Sequence, residues 1–157
     1  MRIIRSVTEE SPELNAIRIM FREYEAELGA DLDFQDFEAE LKNPLKKYGP
    51  PDGALFLALW NFQPAGCIAL YRMEDPEICE MKRLFVRPAY RKTGTGRALV
   101  ALLMEKAKEI GYKKMRLDTL ARLGPAIELY KQFGFRETAP YYKNPLPDAV
   151  YMEADLI

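Results

Sequence analysis

Leu84-Phe85-Val86-Arg87-Pro88-Ala89-Tyr90-Arg91-Lys92-Thr93-Gly94-Thr95-Gly96-Arg97-Ala98-Leu99 decides how this 157-residue chain is read. The stretch runs from an apolar strand, through a basic loop with two glycines, into the first turn of an apolar helix. At such a junction free backbone N–H groups and the positive end of the helix dipole converge, which predicts an anion site. Gly94 and Gly96 let the backbone approach a phosphate without a side chain in the way. Arg91, Lys92 and Arg97 add positive charge beside it, so the expected ligand carries phosphate groups. Two familiar phosphate loops do not fit. Arg97 and Ala98 follow Gly96 where GxxxxGK[ST] needs Lys and Ser or Thr, and Leu99 stands where GxGxxG needs its last glycine. For the glycines alone, a turn that needs residues tolerant of positive φ accounts for them equally well.

Upstream of this stretch lie three apolar runs, Ala54–Trp60, Gly66–Tyr71 and Ile78–Val86, the first two joined by a turn and read as an antiparallel hairpin. Before them, Arg2–Val7 reads as a strand. Ser11 and Pro12 then open a helix with Leu14, Ile17, Met20, Phe21, Tyr24 and Leu28 at helical spacing, which Gly29 closes. A second helix is expected from Asp33, with Phe34, Phe37 and Leu41 on one face, ending at Asn43-Pro44. Downstream come a helix over Arg97–Ile110, an alternating strand over Lys114–Leu120, a helix opened by Gly124-Pro125, and closing strands Phe135–Pro140 and Ala149–Leu156. A meander followed by a strand–helix–strand crossover predicts an α/β (α+β) fold. The expectation is a single, mixed, mostly antiparallel sheet of about seven strands with four helices on its faces, one domain over residues 1–157.

Composition narrows the chemistry. The chain has no histidine, which removes Ser-His-Asp and Cys-His arrangements, imidazole bases and imidazole metal ligands. No metal is expected. Lys+Arg 23 against Asp+Glu 24 lacks the basic excess of a nucleic-acid binder, so no nucleic-acid partner is expected. Cys67 and Cys79 sit inside apolar runs and read as reduced, buried small hydrophobes. No run is long and apolar enough for a membrane span, and the first residues lack a signal core, so no membrane partner and a cytoplasmic location are expected.

The longer string is more specific. Leu84-Phe85-Val86, a proline two residues on, then Arg91-x-x-Gly94-x-Gly96 before an apolar helix resembles the acetyl-CoA motif of the GNAT superfamily of N-acetyltransferases. Ala126-x-x-Leu129-Tyr130-x-x-Phe133-Gly134-Phe135 is similar to that family's next motif. Together they cover roughly Ile78 to Phe135, and the element order extends the likeness nearly end to end. The resemblance implies a GNAT acyl-CoA N-acyltransferase-like fold with acetyl-CoA as co-substrate. It implies that the backbone of Leu84, Phe85 and Val86 pairs with the pantetheine arm as an added strand would, that the loop Arg91, Lys92, Thr93, Gly94, Thr95, Gly96 and Arg97 holds the pyrophosphate, and that Tyr130 lies near the thioester sulfur. The family's asparagine before the tyrosine-bearing helix is missing: the chain reads Leu120-Ala121-Arg122-Leu123-Gly124-Pro125, and Arg122 either serves the phosphates or sits in water.

Acetyl transfer to an amine needs a neutral nucleophile, a stabilised oxyanion and a proton for the leaving thiolate. Glu80 occupies the position of the family's Glu-x-x-x-Leu-x-Val glutamate and is the candidate general base, directly or through water. Its competing reading is a solvated charge beside Lys82 on one strand face. Tyr130 is the candidate general acid, although it also falls on its helix's apolar stripe. By the same resemblance the Val86 amide donates to the oxyanion. The acceptor, a small-molecule or peptide amine, is expected among Phe21, Tyr24, Phe34 and Phe37 early in the chain and Tyr141-Tyr142-Lys143-Asn144-Pro145 late, where an aromatic wall of Tyr141 and Tyr142 favours a cation. The family's habit of pairing raises a homodimer. A GNAT-like domain that senses CoA without turnover, or a plain phosphate-binding module, are the rival readings.

Overall fold

The computed structural model describes residues 1–29, 32 and 35–157. The expected start of a helix at Asp33 and the ring of Phe34 lie outside the described residues. Seven strands form one sheet: β1 (Arg2–Ser6), β2 (Ala54–Trp60), β3 (Gln63–Arg72), β4 (Ile78–Val86), β5 (Lys114–Leu120), β6 (Arg136–Glu137) and β7 (Ala149–Asp155), in the order β1-β2-β3-β4-β5-β7-β6. Every neighbouring pair is antiparallel except β4 and β5. The helices are α1 (Pro12–Leu28), α2 (Phe37–Lys42), α3 (Pro44–Tyr48), α4 (Thr95–Ile110) and α5 (Gly124–Gln132). Among the described residues there are thus five where four were expected. Pro44, which reads in the sequence as a stop, begins α3 at a first-turn position where its missing N–H costs nothing.

β2 and most of β3 are apolar on both faces because both sheet faces are covered, and β4 carries Glu80, Lys82 and Arg83 buried among its apolar residues. Alternate residues of β2 divide between two cores. Leu55, Leu57 and Leu59 pack with α1 and α2, while Ala54, Phe56 and Ala58 pack with α4. Cys67 and Ala69 of β3 face the first core, Ile68 and Leu70 the second. Both cysteines are free and fully buried. α1 begins where Ser11 Oγ accepts the Leu14 N–H (3.2 Å), and Gly29 ends it at φ 65°. Among the described residues no helix is long and apolar enough to cross a membrane.

Two irregularities position everything that follows. β4 pairs with β5 only through Ile78, Cys79 and Glu80, and beyond Glu80 the two parallel strands part. Against β3, the register shifts between Cys67 and Ala69, and Arg83 takes a left-handed φ of 59°. This is a β-bulge. It sends Lys82 and Arg83, consecutive in sequence, to the same face of the sheet, where Lys82 meets Gln35 and Arg83 meets Glu40 of α2. Leu84 and Val86 then pack toward the α4 core and Phe85 toward the α1 core.

Candidate active site

The parted strands open a cavity of about 610 Å³, within the usual size of small-molecule sites. One wall is Leu84–Val86 of β4, the other Leu117–Leu120 of β5, and Tyr130 of α5 closes the side. The backbone of β4 is open to this gap. Arg87 N donates to Ala65 O (2.8 Å), and the Phe85 carbonyl faces β3, so close that a Cβ on Gly66 would stand 2.7 Å from it. Because strand residues turn their N–H and C=O to alternate sides, Val86 turns its pair into the gap. There its carbonyl accepts from Arg91 Nε (2.9 Å).

At one end of the gap stands the N-terminus of α4. Gly94 caps it at φ 85° without a side-chain hydrogen bond, which leaves the first-turn amides directed outward. Arg91, Lys92, Gly94, Thr95, Gly96 and Arg97 line this end. Thr93 does not, since its hydroxyl is turned to Tyr90 O (2.5 Å) and Thr95 Oγ1 (2.8 Å). Both arginines of the loop are held by the protein's own acceptors: Arg91 by Glu27 of α1 (2.5 Å) and Arg97 by Gln132 of α5. Arg122 does not line the cavity and its side chain is 54% exposed, as the reading that it sits in water expects. It donates to Leu28 O at the end of α1 and faces Asp148 at 3.9 Å.

At the other end lies a buried polar network. Glu80 is 2% exposed and accepts from the Tyr141 hydroxyl (2.5 Å), with Lys82 Nζ at 3.5 Å. Neither Glu80 nor Lys82 is a solvated surface charge. Lys82 Nζ also donates to Gln35 Oε1 (3.1 Å) and stands 3.7 Å from Asp118. Asp118 accepts from the Tyr142 hydroxyl and from Asn144 Nδ2 (3.2 Å). Gln35, Lys82, Asp118 and Asn144 line the cavity, whereas Glu80 sits behind them. Burial pushes the phenols of Tyr141 and Tyr142 up, and the adjacent charges of Glu80 and Asp118 push them further. Burial likewise raises Tyr130, with smaller contributions from Tyr24 and Asp118. The Tyr130 hydroxyl makes no hydrogen bond to another described residue, and its ring packs edge-on to Phe135.

The aromatic residues expected around the acceptor divide. Tyr24 lines the cavity. Phe21 is fully buried, edge-on to Tyr48, and Phe37 is fully buried in the same core. The ring faces are taken by the chain's own cations: Arg83 lies over Tyr24 and Phe37, and Arg116 over Tyr141. Sequence reasoning does not single out Asp118 or Gln35, and it reaches Asn144 only as part of the late loop. Asp118 alternates with Arg116 along β5 and looks like half of a solvent face; only the loop that folds back over it makes it a wall.

A family model described as the acetyltransferase (GNAT) family matches residues 14–135. An uncharacterized N-acetyltransferase of Schizosaccharomyces pombe is 44% identical over 145 residues, which is 92% of this chain and 89% of that protein. An acetyltransferase from Streptococcus agalactiae shares the fold with a TM-score of 0.82 at 22% identity, over 99% of this chain and 98% of that one. A protein described as a streptothricin acetyltransferase from Bacillus anthracis, solved in complex with acetyl coenzyme A, aligns with a TM-score of 0.60 at 25% identity, over 69% of this chain and 65% of that one.

Proposed function

The chain belongs to the GNAT acetyltransferase family, and from that premise we propose that it moves an acetyl group from acetyl-CoA to a primary amine. Membership supports acyl-CoA N-acyltransferase activity; the acetyl donor, the amine and the residue roles are our reading. The observation that carries it is the continuous gap between β4 and β5, with an uncapped helix N-terminus among cations at one end and a tyrosine beside buried carboxylates at the other. The pyrophosphate lies on the Gly94–Arg97 amides, and the pantetheine arm runs along the open edge of Leu84–Val86.

In the transfer step the amine loses its proton to Glu80, which reaches it through one water or by way of the Tyr141 hydroxyl. The nitrogen attacks the thioester carbon, and the oxyanion is held by the Val86 N–H. The carbonyl then re-forms as the C–S bond breaks, Tyr130 gives its proton to the leaving sulfur, and the proton shed by the new amide nitrogen restores the Tyr130 phenol. Burial of Tyr130 favours the protonated phenol this role requires.

Thiol release from acetyl-CoA, measured across a panel of alkylamines, amino acids and peptide N-termini, tests the reading. Amine-dependent release is expected. CoA binding without release for any amine supports the sensing domain instead, and no CoA binding at all removes both.

A further inference from the structure

The peptide between Thr93 and Gly94 leads the chain into α4. Gly94 stands at φ 85°, and glycine accepts φ of either sign, so this peptide can turn over while its neighbours stay in place. In one orientation its N–H meets an anion at the helix N-terminus. In the other its carbonyl oxygen does, and repels it. The Thr93 hydroxyl is bonded to Tyr90 O and Thr95 Oγ1, and neither bond fixes the Thr93 carbonyl. That carbonyl accepts instead from Arg2 Nη1 (3.2 Å), 91 positions earlier in the chain. A trans peptide turns its C=O and its N–H to opposite sides, so this bond directs the Gly94 N–H away from Arg2. No described residue accepts from that N–H, and Gly94 lines the cavity. The backbone of Arg2 is fixed to the sheet: Arg2 pairs with Trp60, and Met1 O accepts the Asn61 N–H (2.8 Å). Among the described residues its guanidinium forms no ion pair, whereas Arg91 is tied to Glu27 and Arg97 to Gln132.

We propose that Arg2 is a positioning residue for the phosphate loop, holding the Thr93 carbonyl so that the Gly94 N–H faces the pyrophosphate of CoA. The inference rests on the acetyl-CoA reading above and adds to it a residue of the edge strand β1, far in sequence from the loop it sets. The donor is a cation, which strengthens the bond to the carbonyl. The same bond polarises the peptide and makes its N–H a better donor to phosphate. Arg2 acts through the peptide, so it governs affinity for the donor and has no part in the transfer step.

Calorimetric titration of CoA into the wild type, Arg2→Ala and Arg2→Lys tests this, together with the amide NMR signal of Gly94. Arg2→Ala is expected to weaken CoA about 3- to 10-fold, the range of one hydrogen bond, and to raise the KM for acetyl-CoA by a like factor while moving kcat far less. Arg2→Lys keeps a charged donor on a long stem and is expected to recover most of the loss. The ratio of wild-type to Arg2→Ala affinity is expected to persist in about 0.5 M salt, where a charge acting on the phosphates from a distance is screened. In the wild type the Gly94 amide proton is expected to move downfield when CoA is added, and in Arg2→Ala to move less. Affinity in Arg2→Ala within about twofold of the wild type, a loss that vanishes at high salt, or a wild-type Gly94 signal that does not move overturns the positioning role and leaves the acetyl-CoA reading standing. A wild type that binds no CoA is the separate failure of that reading, and the positioning role falls with it. The wild-type Gly94 signal needs no variant, so it decides the matter even where Arg2→Ala does not fold.

Discussion

Replacing Glu40 by Ala is expected to cost more stability than any exposed charge deletion in this protein. Glu40 and Arg83 form a two-point pair, Nε to Oε2 at 2.9 Å and Nη2 to Oε1 at 3.1 Å, and each side chain is 2% exposed. Without the carboxylate the guanidinium keeps Gln35 Oε1 (2.8 Å) as its hydrogen-bond acceptor and has no counter-charge of its own. Leaving one member of a buried ion pair unpaired costs about 3–5 kcal/mol, against a total stability of about 5–15 kcal/mol for a domain. At about 2–4 °C per kcal/mol for a chain of this length, Tm should fall by about 6–20 °C. Thermal unfolding followed by far-UV circular dichroism reads this directly. Glu13→Ala, which breaks an exposed pair with Arg5, should shift Tm far less. The double variant Glu40→Leu/Arg83→Met removes both charges and should recover most of the loss. A Tm for Glu40→Ala within about 2 °C of the wild type refutes the argument, because the bulge at Arg83 would then be held by something other than this pair.

Three further outcomes follow from the site and the sheet. Gly94→Val places a β-branched residue at φ 85° in the phosphate loop and should weaken CoA binding at least about tenfold in a calorimetric titration. Tyr130→Phe should lower kcat by about 10²-fold or more while leaving the KM for acetyl-CoA nearly unchanged; steady-state thiol release measures both. Burial pushes Glu153 up, yet hydrogen bonds from Arg116 and Lys114 hold it below the ordinary carboxylate range. A depressed carboxylate contributes stability that is complete above its unfolded pKa of about 4.3 and is lost as pH falls through the folded value. Urea unfolding between about pH 6 and pH 3 should therefore show a steeper acid loss for the wild type than for Glu153→Gln.

The parts of the fold that are plain in the sequence are those where one physical demand acts alone. β2 and β3 read as strands because burial on both faces makes them almost continuously apolar, and α1 and α4 read as helices because one stripe of each is buried. The phosphate loop is plain because glycines and cations meet at a strand-to-helix junction, a combination suited to an anion. The bulge is not. Arg83 adopts a left-handed φ with no glycine, asparagine or proline to announce it, held there by Glu40, a residue 43 positions away. The parting of β4 from β5 leaves no local mark either, since Leu84–Val86 is no less apolar than the paired Ile78-Cys79-Glu80. Phe21 reads in the sequence as an acceptor residue, yet its helical stripe places it fully in the core. Asp118 is hidden for a related reason: alternation along β5 assigns it to a polar face, and only tertiary closure by Tyr142 and Asn144 shows what that face contacts.

Hydrogen–deuterium exchange of the protein with and without acetyl-CoA tests the central claim most directly, because the claim concerns particular backbone amides. Donor bound in the gap should slow exchange across Leu84–Val86 and Thr95–Arg97 and leave the β1 edge strand unchanged. Protection confined to other segments, or none at saturating acetyl-CoA, contradicts the account.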